Sequence, residues 1–394
     1  MKIGLVLSRP PGYSETFFNS KIKGLQKEGH KVVLFVQKKD TEFSLCPMVG
    51  APKVYKKILF FQLGNAILIV LKLLIYHKRV LKFIKLEKKG NRSNQQILKN
   101  IFNNSHILRA DMDWLHFGFA TLALQSEHVA KAIGAKMAVS FRGFDIAIYP
   151  VKNNNCYRLL WKNVDKVHAI SDDLIQLAYQ LEMSKNTPYE KITPAIDIQK
   201  FKCVTKYQNF QCNSIQFITI ARLHWKKGII STLEALTIIK EAGVNFTYTI
   251  VGEGSEYENI AFAIYQLGLS NQVKLLGRKN ANEIVVLLKQ SNIYLQYSIS
   301  EGFCNAVLEA QAMGLICIAS NAEGLSENIL HNKTGWIVPK RKPKLLAKVI
   351  MDVIHLPLKE KQRITKNAQE RIQIKFTIEQ QQQEFVEFYG TSVS

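Results

Sequence analysis

The chain has 394 residues, 47% apolar and 21% charged, with 53 Lys/Arg against 31 Asp/Glu and a formal net charge of +22. These values exclude a disordered or fibrous chain, and the length exceeds what one small core fills, so two globular domains are expected. The six cysteines (Cys46, Cys156, Cys203, Cys212, Cys304, Cys317) form no C-x-x-C pair. They imply neither zinc nor a disulfide framework and favour a reducing compartment.

The opening MKIGLVLSRPPGYSE carries one Lys and a short apolar run, which predicts a first strand over Lys2–Ser8 rather than a signal peptide. Gly12 follows it, where glycine lets backbone approach a phosphate or an acceptor closely; a plain turn before a helix over Glu15–Glu28 is the alternative. A second strand is expected over Lys31–Gln37. Residues 51–110 then hold thirteen Lys/Arg and one acid, Glu87. The apolar run around residues 58–76 is broken by Gln62, Asn65 and Lys72, so it is not expected to span a bilayer. Lys78, Lys82, Lys85 and Lys89 recur at 4-3-4 spacing, one stripe of a helix, with Val80, Leu81 and Ile84 expected on the other side. Residues 56–89 therefore predict contact with an anionic membrane surface. Ordinary helices in a Lys-rich chain are the alternative.

Further strands are expected at Trp114–Phe117, Lys136–Phe141 and Lys166–Ile170, with Ser171 capping the next helix. His116 on the first of these is a candidate catalytic group that faces an open site if that strand is parallel; a structural histidine is the alternative. Asp111-Met112-Asp113 matches a D-x-D metal pattern and is read as coincidence. Arg142, in Ser140-Phe141-Arg142-Gly143-Phe144-Asp145, cannot act as a base; it could grip a phosphate or an anionic acceptor, or hold Asp145. Residues 202–213 are polar and irregular, and a second alternating stretch follows. Alternation of strand and helix predicts α/β domains with doubly wound parallel sheets.

Two blocks in the second half carry the chemistry. The strand Phe217–Ala221 leads into Arg222-Leu223-His224-Trp225-Lys226-Lys227-Gly228 and a helix over Ile229–Glu241. Such a loop aims two cations at a ligand beyond the strand's carboxyl end. The second block is Glu301-Gly302-Phe303-Cys304-Asn305-Ala306-Val307-Leu308-Glu309, with a helix expected from Asn305 to a stop at Gly314. Free amides at the helix start suit a phosphate, and Glu301 and Glu309 supply two separated hydrogen-bond acceptors. A capped surface helix with incidental acids is the alternative. Gly252-Glu253-Gly254 fits a loop near the nucleotide base, with a plain turn as the alternative, and Gly324 and Glu327 follow a later strand and are expected to rim the same side.

The segments ARLHWKKG, EGFCNAVLE and ASNAEGLSENI with NKTGWIVP resemble, in order, the C-terminal half of glycosyltransferase family 4, and RPPGYSETFFNSKIKGLQKEGHKVVLFV resembles that family's opening. The resemblance implies the GT-B fold, two Rossmann-like doubly wound domains facing a cleft. The expected division is 1–201 for the acceptor, 202–213 as linker, 214–357 for the nucleotide-sugar, and 358–394 as a helical tail crossing back. It implies a retaining hexosyltransferase of cell-surface polysaccharide or lipopolysaccharide synthesis, cytoplasmic and peripheral on the membrane's inner face. Its partners would be a nucleotide-sugar donor, a uridine diphosphate sugar before a guanosine diphosphate sugar, and a glycan or lipid-linked acceptor. It implies no metal requirement.

Arg222, Lys227, Gly302, Phe303, Cys304 and Asn305 would then hold the diphosphate with Gly12. Glu301 would hold sugar hydroxyls and Glu309 the ribose. The family's His-x-His segment is incomplete around His116, and Arg142 stands where many relatives have His, which puts the proton-transfer residue in doubt. A transferase making a small soluble glycoside and an epimerase on the same fold are the alternatives. Specific nucleic-acid binding is not expected, since no groove-reading helix accompanies the charge.

Overall fold

The computed structural model describes residues 1–12, 16–40, 42–54, 59–202 and 214–390. The expected linker lies outside these from residue 203 on, as do Ser14, Cys203, Cys212 and residues 56–58 of the basic segment. The chain forms two compact units, Met1–Ile192 with Gln381–Ser394, and Thr193–Gln380.

The first unit is built on seven strands: β1 (Lys2–Leu7), β2 (Lys31–Val36), β3 (Met48–Gly50), β4 (Trp114–Phe117), β5 (Lys136–Phe141), β6 (Lys166–Ala169) and β7 (Tyr189–Lys191). Their order is β3-β2-β1-β4-β5-β6-β7, every pairing parallel. An all-parallel sheet is covered on both faces, which is why strands such as KIGLVL and KMAVSF read as near-continuous apolar runs. Ile3, Leu5 and Leu7 of β1 pack with Phe17, Phe18 and Ile22 of α1 (Thr16–Lys27). Phe385, Phe388 and Tyr389 of the last helix, Ile378–Gly390, complete the same core.

Three helices connect β3 to β4: α2 (Leu59–Leu74), α3 (His77–Lys89) and α4 (Asn94–Leu108). The acid of this segment, Glu87, is fully buried, bonded to His128 Nδ1 (2.7 Å) and Asn100 Nδ2 (2.6 Å). The first unit ends at Ile192, earlier than the expected 201, because the next segment pairs elsewhere: Ile196 N–H donates to the Phe376 carbonyl at 3.0 Å. Ser171 holds the N-cap position before the helix Asp172–Gln180, yet its hydroxyl caps no amide there.

The second unit carries six strands: β8 (Ile215–Ile220), β9 (Phe246–Val251), β10 (Val273–Leu275), β11 (Ile293–Gln296), β12 (Ile316–Ser320) and β13 (Trp336–Val338). The order β10-β9-β8-β11-β12-β13 is again parallel throughout. Its core runs from Phe217 and Tyr248 through Leu233 and Leu236 of the helix Ile229–Glu241 to Leu346 and Ile350. In each sheet the chain starts in the middle, builds outward, then returns to the other side of the first strand. That reversal falls between β1 and β4 in one unit and between β8 and β11 in the other. It leaves a crevice at the strands' carboxyl ends, where open α/β sheets take ligands.

Candidate functional site

In the second unit, the loops leaving β8 and β11 meet at this switch point. The Lys226 carbonyl accepts from the Ile299 amide at 2.6 Å, which ties one loop to the other. Gly228 follows the short turn Trp225–Lys227 with φ of +59°, and a Cβ there would lie 2.1 Å from the Tyr297 carbonyl oxygen. Only glycine allows the loops this close. The result is an ion pair between Lys227 Nζ and Glu301 Oε2, both largely shielded from solvent. Burial alone would lower the Lys227 pKa; the Glu301 carboxylate outweighs it and holds the ammonium above the ordinary lysine value. Ser298 Oγ adds a hydrogen bond to Glu301 Oε2 at 3.2 Å.

The loop after β12 fixes Glu301 from behind. Glu323 Oε2 accepts from the Glu301 amide at 2.7 Å, and Lys340 Nζ lies 3.3 Å from the other Glu323 oxygen. The Gly324 amide donates to the Glu301 carbonyl at 2.9 Å, and a Cβ on Gly324 would sit 1.8 Å from the Gly302 oxygen. On the other flank, Gly252 and Gly254 press on the Ala221 and Leu223 carbonyls, with built Cβ distances of 1.9 and 2.1 Å. Their role is thus to support the loop that carries Arg222, which is exposed. Arg222, Lys226, Lys227 and Lys340 face the carboxylates Glu301 and Glu323, a surplus of positive charge where an anion could lie.

The expected helix is present as Asn305–Ala312, and Gly314 ends it with φ of +76°. Its start differs from expectation at one amide. The Cys304 N–H is taken by Asn328 Oδ1 at 3.0 Å, while Asn328 Nδ2 returns a bond to the Cys304 carbonyl. Cys304 is therefore a backbone anchor rather than part of an anion cradle. Its thiol is pushed up to about 12 by burial and by Glu301, so it is no nucleophile. Among the described residues, no group accepts from the N–H of Phe303, Asn305 or Ala306. The Phe303 ring turns inward onto Phe376 at 5.9 Å, leaving only its backbone for a ligand. Glu309 lies further along the helix, in dense surroundings. Burial pushes its carboxyl up to about 7 against the opposing pull of Lys200.

In the first unit, the structure corrects the expectation for His116. Its ring is buried within β4, not facing an open site. Tyr389 OH lies 2.6 Å and Lys21 Nζ 3.0 Å from Nδ1, while Nε2 meets Ser140 Oγ at 2.8 Å. Ser140 Oγ lies 2.8 Å from His168 Nδ1, and His168 Nε2 bonds the Ile192 carbonyl at 2.9 Å. The Ile192 carbonyl can only accept, so His168 carries its proton on Nε2, Ser140 donates to Nδ1, and His116 donates from Nε2. Burial depresses the pKa of both imidazoles, as it does Lys21. This chain of bonds fastens the C-terminal helix to the sheet.

Arg142 stands at the carboxyl end of β5, its guanidinium 4.1 Å from the Phe17 ring centre and 4.9 Å from that of Phe18. Its backbone N–H donates to Asp145 Oδ1 at 3.0 Å. Gly12 is exposed in the loop after β1 and has open space where a side chain would go. Asp111 pairs with Lys2 at 2.5 Å, and Asp113 accepts from the Lys2 amide at 2.7 Å, so both acids of the D-x-D sequence serve the amino edge of the sheet. Lys78, Lys82, Lys85 and Lys89 are all exposed on α3. Leu81 departs from its expected side: it is exposed beside the lysines.

Residues 206–371 match the family model for glycosyl transferases group 1. Most of the second unit is therefore similar to glycosyl transferases group 1. Over the longer chain, similarity extends to the putative colanic acid biosynthesis glycosyltransferase WcaL of Escherichia coli strain K12, 27% identical across 95% of this chain and 96% of that protein. The amylovoran biosynthesis glycosyltransferase AmsK of Erwinia amylovora is 28% identical across 69% of this chain and 68% of its own. Among solved structures, the Anabaena protein HepE in complex with UDP superposes with a TM-score of 0.74 at 16% identity, covering 99% of both chains. The same protein was also solved with UDP-glucose. The two parallel-sheet α/β units thus have the architecture of GT-B glycosyltransferases.

Within the second unit, reading of motifs assigned no role to Glu323, Lys340, Asn328 or Ser298. Glu323, Asn328 and Ser298 hold the Glu301–Cys304 backbone or the Glu301 carboxylate directly, and Lys340 acts through Glu323 and the Ile299 carbonyl. Glu323 and Asn328 had nearby signals, the Gly324 and Glu327 beside them in ASNAEGLSENI.

Proposed function

We propose that this protein is a retaining glycosyltransferase of cell-surface polysaccharide synthesis that takes a hexosyl group from a nucleotide-sugar. The observation that carries the donor reading is the Lys227–Glu301 pair at the β8/β11 switch point of the second unit. A diphosphate leaving group fits the surplus cations there: Arg222 offers a planar fork and Lys227 a point charge. The free amides of Phe303 and Asn305 add donors. As the glycosyl centre becomes oxocarbenium-like, negative charge collects on the departing phosphate, and fixed cations lower the barrier without reorganising.

Donor binding would exchange partners at the pair. Lys227 turns from Glu301 to phosphate, and Glu301 becomes free to accept from sugar hydroxyls. Glu309 accepts from the ribose. A uridine diphosphate sugar is the preferred donor, a choice supported by the UDP complex of HepE. The loops need no metal to neutralise the diphosphate, since their own cations supply the charge.

The first unit is assigned the acceptor, a glycan or lipid-linked glycan at the cytoplasmic face of the membrane. Arg142, steadied by aromatic rings, is assigned to an anionic group of that acceptor. The reading is tested by supplying UDP-sugars with a lipid-linked glycan fraction and following release of UDP. Acceptor-dependent release with an α-linked product from an α-donor supports it. Interconversion of the donor sugar without transfer would instead show an epimerase.

A further inference from the structure

Among the described side chains of the α2–α3 hairpin, those exposed in quantity are aliphatic and cationic. Along α2, Leu63, Ile67, Val70 and Leu74 recur at 4-3-4 spacing, and Leu68 and Leu71 lie beside them; all six are 54–59% exposed. Ile75 at the tip of the hairpin is 81% exposed. Large apolar side chains grouped this way on a monomer mark a site of association. Exposed cations follow in sequence: Lys72 at the end of α2, then Lys78, Lys82 and Lys85 along α3. The acid between residues 63 and 89, Glu87, is withdrawn into the interior on His128 and Asn100. The hairpin itself thus exposes no acid among its described residues, and the neighbouring Asp111 is paired with Lys2 and Arg79.

We propose that this hairpin docks the protein on an anionic lipid bilayer, with the aliphatic face of α2 in the acyl boundary and the α3 lysines among headgroup phosphates. This extends the reading of a membrane-side acceptor by naming the surface that meets the lipid. The sixteen residues of α2 reach about 24 Å, less than the roughly 30 Å of a hydrocarbon core, so the helix lies in the interface plane. Among the described residues, no helix is long and apolar enough to cross a membrane. Charge selects lipid over a second copy of the chain. A two-fold contact through this face would set lysines against lysines with no acid to pair them.

The test is co-sedimentation of the full chain with phosphatidylcholine vesicles, with and without phosphatidylglycerol, beside two variants: Ile67→Ser/Val70→Ser/Leu74→Ser and Lys78→Glu/Lys82→Glu/Lys85→Glu. All six positions are exposed, and melting curves confirm folding. The wild type should bind the anionic vesicles at least about tenfold more strongly than the neutral ones, and each variant should lose that binding by a similar factor. No binding to anionic vesicles, or undiminished binding by the serine variant, overturns the proposal. A lipid-free dimer that the serine variant dissolves also overturns it, by assigning the face to a second copy. UDP affinity measured on the same preparations separates the two readings. It stays unchanged in the variants if the donor site is as described, and its absence from every preparation would sink the donor site without touching the vesicle result.

Discussion

Lys227 and Glu301 are 74 residues apart in sequence and form an ion pair because their loops leave adjacent parallel strands at the point where the chain reverses direction. The pair stores a cation and a carboxylate where a diphosphate and a sugar would need them. Lys227→Ala should therefore slow turnover by roughly 2–4 kcal/mol of barrier, a factor of about 10²–10³ in kcat. Steady-state kinetics with saturating donor measures it. A loss confined to KM would mean that Lys227 binds the ground state and the transition state alike.

Gly324 is the backbone support behind that pair. A methyl group at this position meets the Gly302 carbonyl oxygen at 1.8 Å, and backbone cannot yield as a side chain can. Gly324→Ala should destabilise the second unit by about 1–3 kcal/mol and weaken donor binding, because Glu301 shifts with its neighbour. Denaturant melts with and without UDP would show both effects; an unaltered midpoint would show that the loop is slack.

Glu309 should leave a mark on stability as a function of pH. Its folded carboxyl is raised to about 7 by burial, so between the ordinary carboxylate range and pH 7 the folded state holds a proton that the unfolded chain has released. Stability from this group is full at the acid end and falls as pH rises through that window. Glu309→Gln should flatten the fall of Tm between pH 5 and 7 relative to the wild type. It should also weaken donor binding if the ribose hydroxyls donate to this carboxylate.

Lys21 gives the opposite sign. Burial, then the nearby Arg142, hold its amine well below the ordinary lysine value, so the unfolded chain binds a proton that the folded state refuses. Stability rises with pH toward the ordinary lysine value, and at neutral pH the group costs stability. Lys21→Met should raise Tm at pH 7 and flatten the climb from pH 7 to 10, since His116 keeps its Tyr389 partner. A drop in Tm at pH 7 would show that the amine is worth more to His116 than its burial costs.

Much of this architecture could be read from the chain alone, for physical reasons. Strands such as Trp114–Phe117 and Lys136–Phe141 are apolar runs bounded by polar turns, and parallel strands buried on both faces can take no other form. Lys227, Glu301 and the helix ending at Gly314 were legible because the loop chemistry is local. The burial of His116 was not. It depends on where Tyr389 arrives from 273 residues away, which no local pattern records. The same holds for Cys304, whose amide is taken by Asn328 from a later loop. Leu81 was placed wrongly by helical spacing because that rule assumes each apolar residue turns inward, and the α2–α3 surface does not follow it.

The central claim is that a nucleoside diphosphate lodges between the Arg222–Lys227 loop and the start of the Asn305–Ala312 helix. Calorimetric titration of UDP into the wild type and into Lys227→Ala, at one pH and ionic strength, tests it most directly. The account predicts saturable binding to the wild type and an affinity at least about tenfold weaker in the variant, since a charge-assisted contact is lost. Equal affinity in both proteins, or no binding to either, would contradict it.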